Sequence, residues 1–376
     1  MTHAIVNLDN AAAAPPNPQL AEWYAELLPD YHYNPHGGTC VAERCRRLAL
    51  EAERRLLALL GIPEREANVI WTSGVTEALN LAAQVNLPPK STVAIDPGAH
   101  PALSEPCKAW ANVRTMFCDC FGEARPGDGA CGLCAVSHIN NETGFTQDLP
   151  AIRAALSACG GQGLLLVDAA QSFCKSPIPW QAAHIDMLAL SSRKIGGPVS
   201  VGALVVRKGV NLRAQLVGGG QQNGLRSGTL DAIGVELFIR SAESAMRRHA
   251  CNGRRVTDLS AELWAYLYER SGDAGWPNWQ PLHSGTPADS PYINLFSFPD
   301  YEGAVLTRIL AEKHGVLVSS SSACSAESGR LSPGLLAMGV EESVIRGALR
   351  VSFSTESTFQ DLQTFLSALE KNLTDY

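Results

Sequence analysis

Nowhere does the 376-residue chain gather a block of basic residues: 30 lysines and arginines stand against 37 acids, for a formal net charge of −7. A phosphate backbone would find nothing there to neutralise it, which sets nucleic-acid binding aside. No stretch approaches the roughly 18 apolar residues of a membrane span. The opening MTHAIVNLDNAAAAPP has neither the basic start nor the apolar core of a signal peptide. The expectation is a soluble, cytoplasmic protein with no membrane partner. Internal repeats are lacking, and low complexity is confined to the AAAAPP and SSSS runs. The glycine spacing of a dinucleotide-binding turn is missing too. GGGQQNG does not match it and follows no obvious first strand, which weakens any oxidoreductase reading.

What is there belongs to an ordinary globular chain, 45% hydrophobic and 18% charged, long enough for two domains. Its eleven cysteines are many, but in a reducing compartment they need not be bridged, and most read as free thiols. Cys118, Cys120, Cys131 and Cys134 could imitate four zinc ligands. However, Cys134 lies in GLCAVSHI, which reads as a buried strand, so the expectation is no metal.

From about residue 68 to 208, short aliphatic runs alternate with helical patterns. The runs are NVIWTS, STVAID, GLCAVSHI, GLLLVDAA, DMLALSS and GALVVRK, several apolar on both faces as a doubly covered parallel sheet requires. This is an α/β domain. After the long helical pattern RSGTLDAIGVELFIRSAESAMRRHA the rhythm changes at CNGRRV, near residue 250. YINLFSF, HGVLVSS and ALRVSFS then alternate with helices as a smaller α+β domain.

In open α/β sheets, ligands bind at the carboxyl ends of the strands. Those positions here carry Thr72-Ser73-Gly74-Val75-Thr76-Glu77, His100, Asn140-Asn141-Glu142, Asp168 and Ser191-Ser192-Arg193-Lys194. Each alone has a plainer reading: a helix cap for TSGVTE, a hydrogen-bonded histidine, a solvated lysine, a loop acid. Together they form a phosphate cradle, a lysine and a neighbouring carboxylate, which is what pyridoxal 5'-phosphate needs. One more stretch stands out. In VSSSSACSAESGR, Cys324 has almost no large apolar neighbours, so it reads as a thiol on a mobile loop and not as a core residue.

Nine motifs in order carry a family resemblance: LDNAAAAP, WTSGVTEALN, the His100 region, HINNETGFTQDL, VDAAQS, SSRKIGGP, GGGQQNGLRSGTLD, SSSSACS and LRVSFS. The chain resembles a cysteine desulfurase of the aminotransferase class V family, in its NifS/IscS-like branch, fold type I of the pyridoxal phosphate enzymes. The resemblance implies a large domain, residues 15–250, with a mainly parallel seven-stranded sheet between helices. It also implies a smaller C-terminal α+β domain, 251–376, carrying the Cys324 loop, and an N-terminal arm, 1–14, packing with that small domain.

Position by position, it implies that Lys194 holds pyridoxal 5'-phosphate as a Schiff base and Asp168 pairs with the pyridinium nitrogen. His100 stacks on the ring and shares acid/base work, with Gln171 and Asn141 on the ring hydroxyl side. The phosphate meets Val75 N–H, Thr76, Ser191 and Arg193, and Thr229 reaches the phosphate of the neighbouring subunit, which makes the protein a homodimer. Arg350 clamps the substrate α-carboxylate, a bidentate task suited to a guanidinium. With L-cysteine as substrate, the Cys324 thiolate takes the sulfur as a persulfide, leaves alanine and passes the sulfur to an acceptor protein. Iron–sulfur cluster assembly is one of several such destinations.

The match has departures. The family usually has histidine where this chain has Arg193. NPHGGTCVAERC differs from the family's segment and puts His36 and Gly37-Gly38 in a region expected to border the substrate entrance. KIGGPVSVGAL differs at Gly196, Val199 and Ser200. The cysteine loop is of the longer kind associated with direct delivery to protein acceptors. Two alternatives stay open: a pyridoxal phosphate lyase acting on cysteine, cystine or selenocysteine without an enzyme persulfide, and a catalytically silent homologue acting as a dimeric interaction module.

Overall fold

The computed structural model describes residues 5–110, 112–118, 124–125, 131–158, 163–286, 288–321 and 331–374. An arm with strand β1 (Val6–Asn7) leads into helices α1 (Leu20–Tyr31) and α2 (Cys40–Leu59). Next come β2 (Ala67–Thr72), α3 (Val75–Ala82), β3 (Val93–Ile95), α4 (Pro101–Lys108) and β4 (Val113–Thr115). A short antiparallel pair, β5 (Phe117–Cys118) with β6 (Ala124–Arg125), precedes β7 (Leu133–Ser137), α5 (Leu149–Ala158), β8 (Leu164–Asp168), β9 (Met187–Ser191) and β10 (Gly202–Arg207). Helix α6 (Ala232–Arg270) then crosses to β11 (Gln280–Pro281), β12 (Ile293–Ser297), α7 (Gly303–His314), β13 (Val316–Leu317) and β14 (Ser319–Ser320). The chain closes with α8 (Pro333–Ala337), α9 (Glu342–Arg346), β15 (Ala348–Ser352) and α10 (Phe359–Thr374).

The large sheet has seven strands in the order β2-β10-β9-β8-β7-β3-β4, all parallel except β10, which runs against both its neighbours. Its central strands are largely apolar on both faces because each alternates between two cores. Cys134, Val136, Leu165, Val167, Leu188, Leu190, Ala203 and Val205 face one side, under α2, α5 and the first half of α6. Leu133, Ala135, Leu166, Met187, Ala189, Leu204 and Val206 face the other, under α3 and α4. A side-chain period of two therefore serves two hydrophobic layers, and a one-residue slip would exchange them.

A second, antiparallel sheet, β11-β12-β15-β14, lies against α6, α7 and α10. The change of rhythm near residue 250 does not end a helix: α6 runs unbroken through Cys251, Asn252 and Gly253. What changes there is the packing partner. Val235, Phe238, Ile239 and Ala242 belong to the large-sheet core, whereas Val256, Leu259, Leu263 and Leu267 belong to the small-sheet core. One glycine costs a helix only about 1 kcal/mol, too little to break one anchored in a core at each end.

The N-terminal arm joins the second unit. β1 pairs in parallel with β13, Asp9 bridges to Ser352 of β15, and Leu8 and Ala11 are buried in the small-sheet core. Asn10 Nδ2 donates to Ser352 O at 2.7 Å, and Ala11 N–H to Ser352 Oγ at 2.9 Å. The arm is thereby carried over the carboxyl ends of the large sheet.

Phe238 is fully buried where α6 meets the sheet, edge-on to Trp71 at 6.0 Å and to Phe173 at 5.9 Å. Phe238→Ala should lower unfolding free energy by about 3–5 kcal/mol. A loss under 1 kcal/mol in chemical denaturation would show that α6 is not pinned through this ring.

Candidate active site

The carboxyl ends of β2, β3, β7, β8 and β9 open into one cavity of about 550 Å³, roofed by Asp9, Ala11 and Ala12 of the arm and by Ser319 and Arg350 of the small sheet. Its floor begins at the turn Ser73-Gly74 before α3. Gly74 has φ 147° and starts the helix, so the first-turn N–H groups at Val75 and Thr76 border the cavity. Such a helix start favours an anion. Glu77 keeps the turn in shape: Oε2 accepts from Ser73 N at 2.7 Å, and Arg226 Nε donates to Oε1 at 2.7 Å. β10 has to pass close beneath, and only Gly202 allows it, since a Cβ there would lie 2.5 Å from the Gly74 carbonyl carbon.

β8 ends in Asp168, fully buried in the sheet edge. Ala170 N donates to its Oδ1 at 2.9 Å, but burial outweighs this bond and the nearby Lys194 ammonium, and pushes the carboxyl up to about 6. β9 ends in Ser191, and the single turn Arg193–Ile195 lifts Lys194 into the cavity before Gly196 reverses the chain at φ 80°. A Cβ on Gly196 would lie 2.7 Å from Pro15 O, so the glycine also admits the arm. Lys194 Nζ donates to Ala11 O at 2.6 Å and Ala12 O at 2.7 Å. Burial, with the charges of Arg193, Lys175 and Arg350, brings its amine down to about 8, against a smaller upward pull from Asp168. Gln171 Nε2 also donates to Ala11 O, at 2.9 Å, while its Oε1 is buried with no partner.

His100 caps α4 with Nδ1, which accepts from Ala102 N at 3.0 Å. The ring proton therefore sits on Nε2. Burial first, then the Lys194 and Arg350 charges, hold the imidazole below its ordinary pKa, so it is neutral at neutral pH. Its turn is braced by two side chains that the sequence reading did not single out as supports. Asp96 Oδ1 accepts from Gly98 N at 2.8 Å, and Asn140 Nδ2 donates to Gly98 O at 2.9 Å. Asn140 Oδ1 also takes the N–H groups of Glu142 and Thr143, at 2.8 and 3.0 Å, so one amide fixes the His100 and Asn141 turns together.

Arg350, in the middle of the small sheet, is buried and reaches across the domain gap. Nη1 donates to Asn141 O at 2.8 Å and Nη2 to Asp9 Oδ1 at 2.8 Å, while Nε is buried without a partner. Arg193 is exposed and donates from Nη2 to Ala12 O at 2.9 Å.

Lys194, Asp168, Gln171, His100, Val75, Thr76, Asn141, Ser191, Arg193 and Arg350 thus share one cavity. Thr229 does not: it is exposed and outside the cavity lining. Cys324 lies outside the described residues, as does Cys120 of the zinc reading, while Cys134 is buried in β7 with Sγ 3.7 Å from Met116 Sδ. His36, Gly37 and Gly38, expected near the substrate entrance, do not line this cavity. They sit in the turn leading to Thr39, whose Oγ1 caps α2 by accepting from Ala42 N at 3.3 Å. The reading also missed Asp9, present in LDNAAAAP but with a partner 341 residues away.

The donor set fits pyridoxal 5'-phosphate. A buried carboxyl with a raised pKa has no ion-pair partner among the described residues, a glutamine oxygen is orphaned, a helix start faces the cavity, and a lysine of lowered pKa stands among them.

The architecture is fold type I of the pyridoxal phosphate enzymes. A NifS-like protein from Rickettsia africae superposes with a TM-score of 0.87 over 99% of this chain and 100% of its own, at 22% identity. The apo cysteine desulfurase of Thermococcus onnurineus gives 0.81 over 99% and 95%, at 20% identity. More particularly, the chain belongs to the aminotransferase class V family, whose model matches residues 6–365. A cysteine desulfurase of Gluconacetobacter diazotrophicus is 32% identical over 335 residues, 85% of this chain and 80% of its own. The cysteine desulfurase IscS of Aeromonas hydrophila is 29% identical over 399 aligned positions, 98% of this chain and 92% of its own.

A lysine is nucleophilic only when deprotonated, so the Lys194 amine should capture an aldehyde faster as pH rises through about 8 and level off above it. Stopped-flow absorbance of pyridoxal 5'-phosphate added to cofactor-free protein reads this. A plateau delayed to the ordinary lysine range, about 10.4, would contradict the lowered value, and Lys194→Ala should abolish the signal.

Proposed function

We propose that the protein is a cysteine desulfurase, which removes sulfur from L-cysteine with pyridoxal 5'-phosphate, leaving L-alanine and a persulfide on Cys324. The observation that carries this reading is the meeting of Lys194, Asp168, His100 and Arg350 in one cavity between the two sheets. Full-length similarity to cysteine desulfurases supports the choice of substrate.

Bound through Lys194, the cofactor supplies an electron sink for the pair released at the substrate carbon. The protein supplies the rest. Asp168 would hold the ring nitrogen protonated, and a cation there would stabilise a carboxylate that burial otherwise penalises. Gln171 and Asn141 meet the ring hydroxyl side. Val75 N–H, Thr76, Ser191 and Arg193 would hold the phosphate, and Thr229, exposed on its own subunit, would serve the phosphate of the neighbouring subunit in a homodimer. Arg193 in place of a histidine gives that anchor a guanidinium with several donors.

Arg350 takes the substrate carboxylate. Its donors are already aimed by Asn141 O and Asp9, so little is spent on ordering them. The Lys194 amine, with a pKa near neutrality, can accept the Cα proton and return it. His100, with Nδ1 committed to Ala102 N–H, handles protons at Nε2 alone. The Cys324 thiolate attacks the substrate sulfur: a sulfur–sulfur bond forms, the carbon–sulfur bond breaks, and the carbon is protonated to give alanine. The persulfide then moves to an acceptor protein, iron–sulfur cluster assembly being one destination. Among the described residues no helix is long and apolar enough to cross a membrane.

Alanine and sulfide released from L-cysteine in the presence of a reductant test the reading. Both should appear with the wild type and fall by at least about 100-fold in Cys324→Ala, the scale of losing an activated nucleophile. Full activity in the variant would reassign the protein as a C–S lyase, and absence of any cofactor absorbance would favour the silent homologue. Sedimentation should find the protein as a dimer of the 40.1 kDa chain.

A further inference from the structure

We propose that Asp9 is the second half of substrate recognition: it meets the α-ammonium group of the amino acid while Arg350 meets the carboxylate. The inference rests on the proposed reading insofar as the substrate is an amino acid.

Three acidic side chains line the cavity, Asp9, Glu77 and Asp168. Glu77 is spent on Arg226 and Ser73 N–H, and Asp168 is buried at the end of β8, where the ring nitrogen is to sit. Asp9 alone among the described lining residues is left to face a substrate cation. Its Oδ1 accepts from Arg350 Nη2 at 2.8 Å, and its Oδ2 has no partner among the described residues, with the side chain still 22% exposed.

The geometry suits a zwitterion. An α-amino acid carries its opposite charges on neighbouring atoms of one carbon, and Asp9 with Arg350 presents opposite charges in direct contact. Laid against that pair, the substrate carboxylate finds the spare N–H groups of Arg350 and its ammonium finds Asp9 Oδ2. A carboxylic acid without the amino group gains the first contact and is repelled by Asp9.

Asp9 is held firmly enough for this. Its own N–H donates to Asn7 Oδ1 at 2.9 Å, its carbonyl accepts from Ala12 N and Ala13 N at 3.1 and 3.3 Å, and it bridges to Ser352 on the strand that carries Arg350. The two recognition groups therefore share one rigid support.

The test uses holoenzyme whose cofactor bond to Lys194 has been reduced with borohydride, so that only non-covalent binding is read. Calorimetry compares S-methyl-L-cysteine with 3-(methylthio)propionate, which differ only in the amino group. The wild type should prefer the amino acid. Asp9→Asn should weaken that ligand by about tenfold or more, as for a charge-assisted bond, and leave the des-amino acid unchanged or tighter. Equal weakening of both ligands would overturn the proposal, because Asp9 would then only position Arg350. So would a variant that binds both as the wild type does. Equal affinity of the wild type for both ligands would sink it without any variant. A failed desulfurase reading shows separately, as no alanine from L-cysteine.

Discussion

Two backbone carbonyls, Ala11 O and Ala12 O, hold the site together. Between them they accept from Lys194 Nζ, Gln171 Nε2 and Arg193 Nη2, three side chains of the large unit. The same arm is sewn to the small sheet by Asn10, Ala11 and Leu8 against Ser352, whose N–H donates to Leu8 O at 2.7 Å. Leu8 and Ala11 of this stretch belong to the small-sheet core, while its carbonyls are held by side chains of the large unit. The cavity consequently exists only where both units are folded and docked, and the small alanines of the run leave room for a ligand beneath their carbonyls.

The electrostatics follow from that closure. Excluding water raises the cost of every charge, so Asp168 is driven up to about 6 and Lys194 down to about 8. His100 is driven down in the same way, and the cations beside it reinforce the burial. An acid and an amine that in water would titrate several units apart are thereby brought toward the neutral range, while the imidazole is kept neutral. That is the condition for exchanging protons among them without a large energetic step. The lowered values arise mainly from burial, which depends on the arm, so the packing of residues 6–12 reaches the chemistry directly.

Much of this was legible in the chain. Six apolar runs in the sequence became six of the seven strands of the large sheet, because alternation between two cores leaves few polar positions in them. The strand-end residues announced the cavity for the same reason: the ends of parallel strands must face a common edge. The antiparallel course of β10 and the short edge strand β4 left no such trace. The continuity of α6 was also hidden, since a local run of polar residues and glycine looks like a boundary when the partners that hold the helix are distant. The roles of Asp9 and Asn140 were hidden on equal grounds. Each acts through a contact whose other half lies far off in sequence, and a pattern read along the chain contains no term for it.

Arg193 shows how one departure can be absorbed by that frame. A guanidinium is longer than an imidazole and always charged, so it needs a neutral acceptor as well as an anion. Ala12 O provides one, and it is the carbonyl already shared with Lys194. The substitution therefore adds a link between the arm and the lysine turn while placing a permanent cation beside the lysine, where it ranks second after burial in lowering the amine. Stiffness and a more reactive lysine come from the same side chain. A histidine at this position would supply the cation only at low pH, when the lysine it assists is protonated and idle.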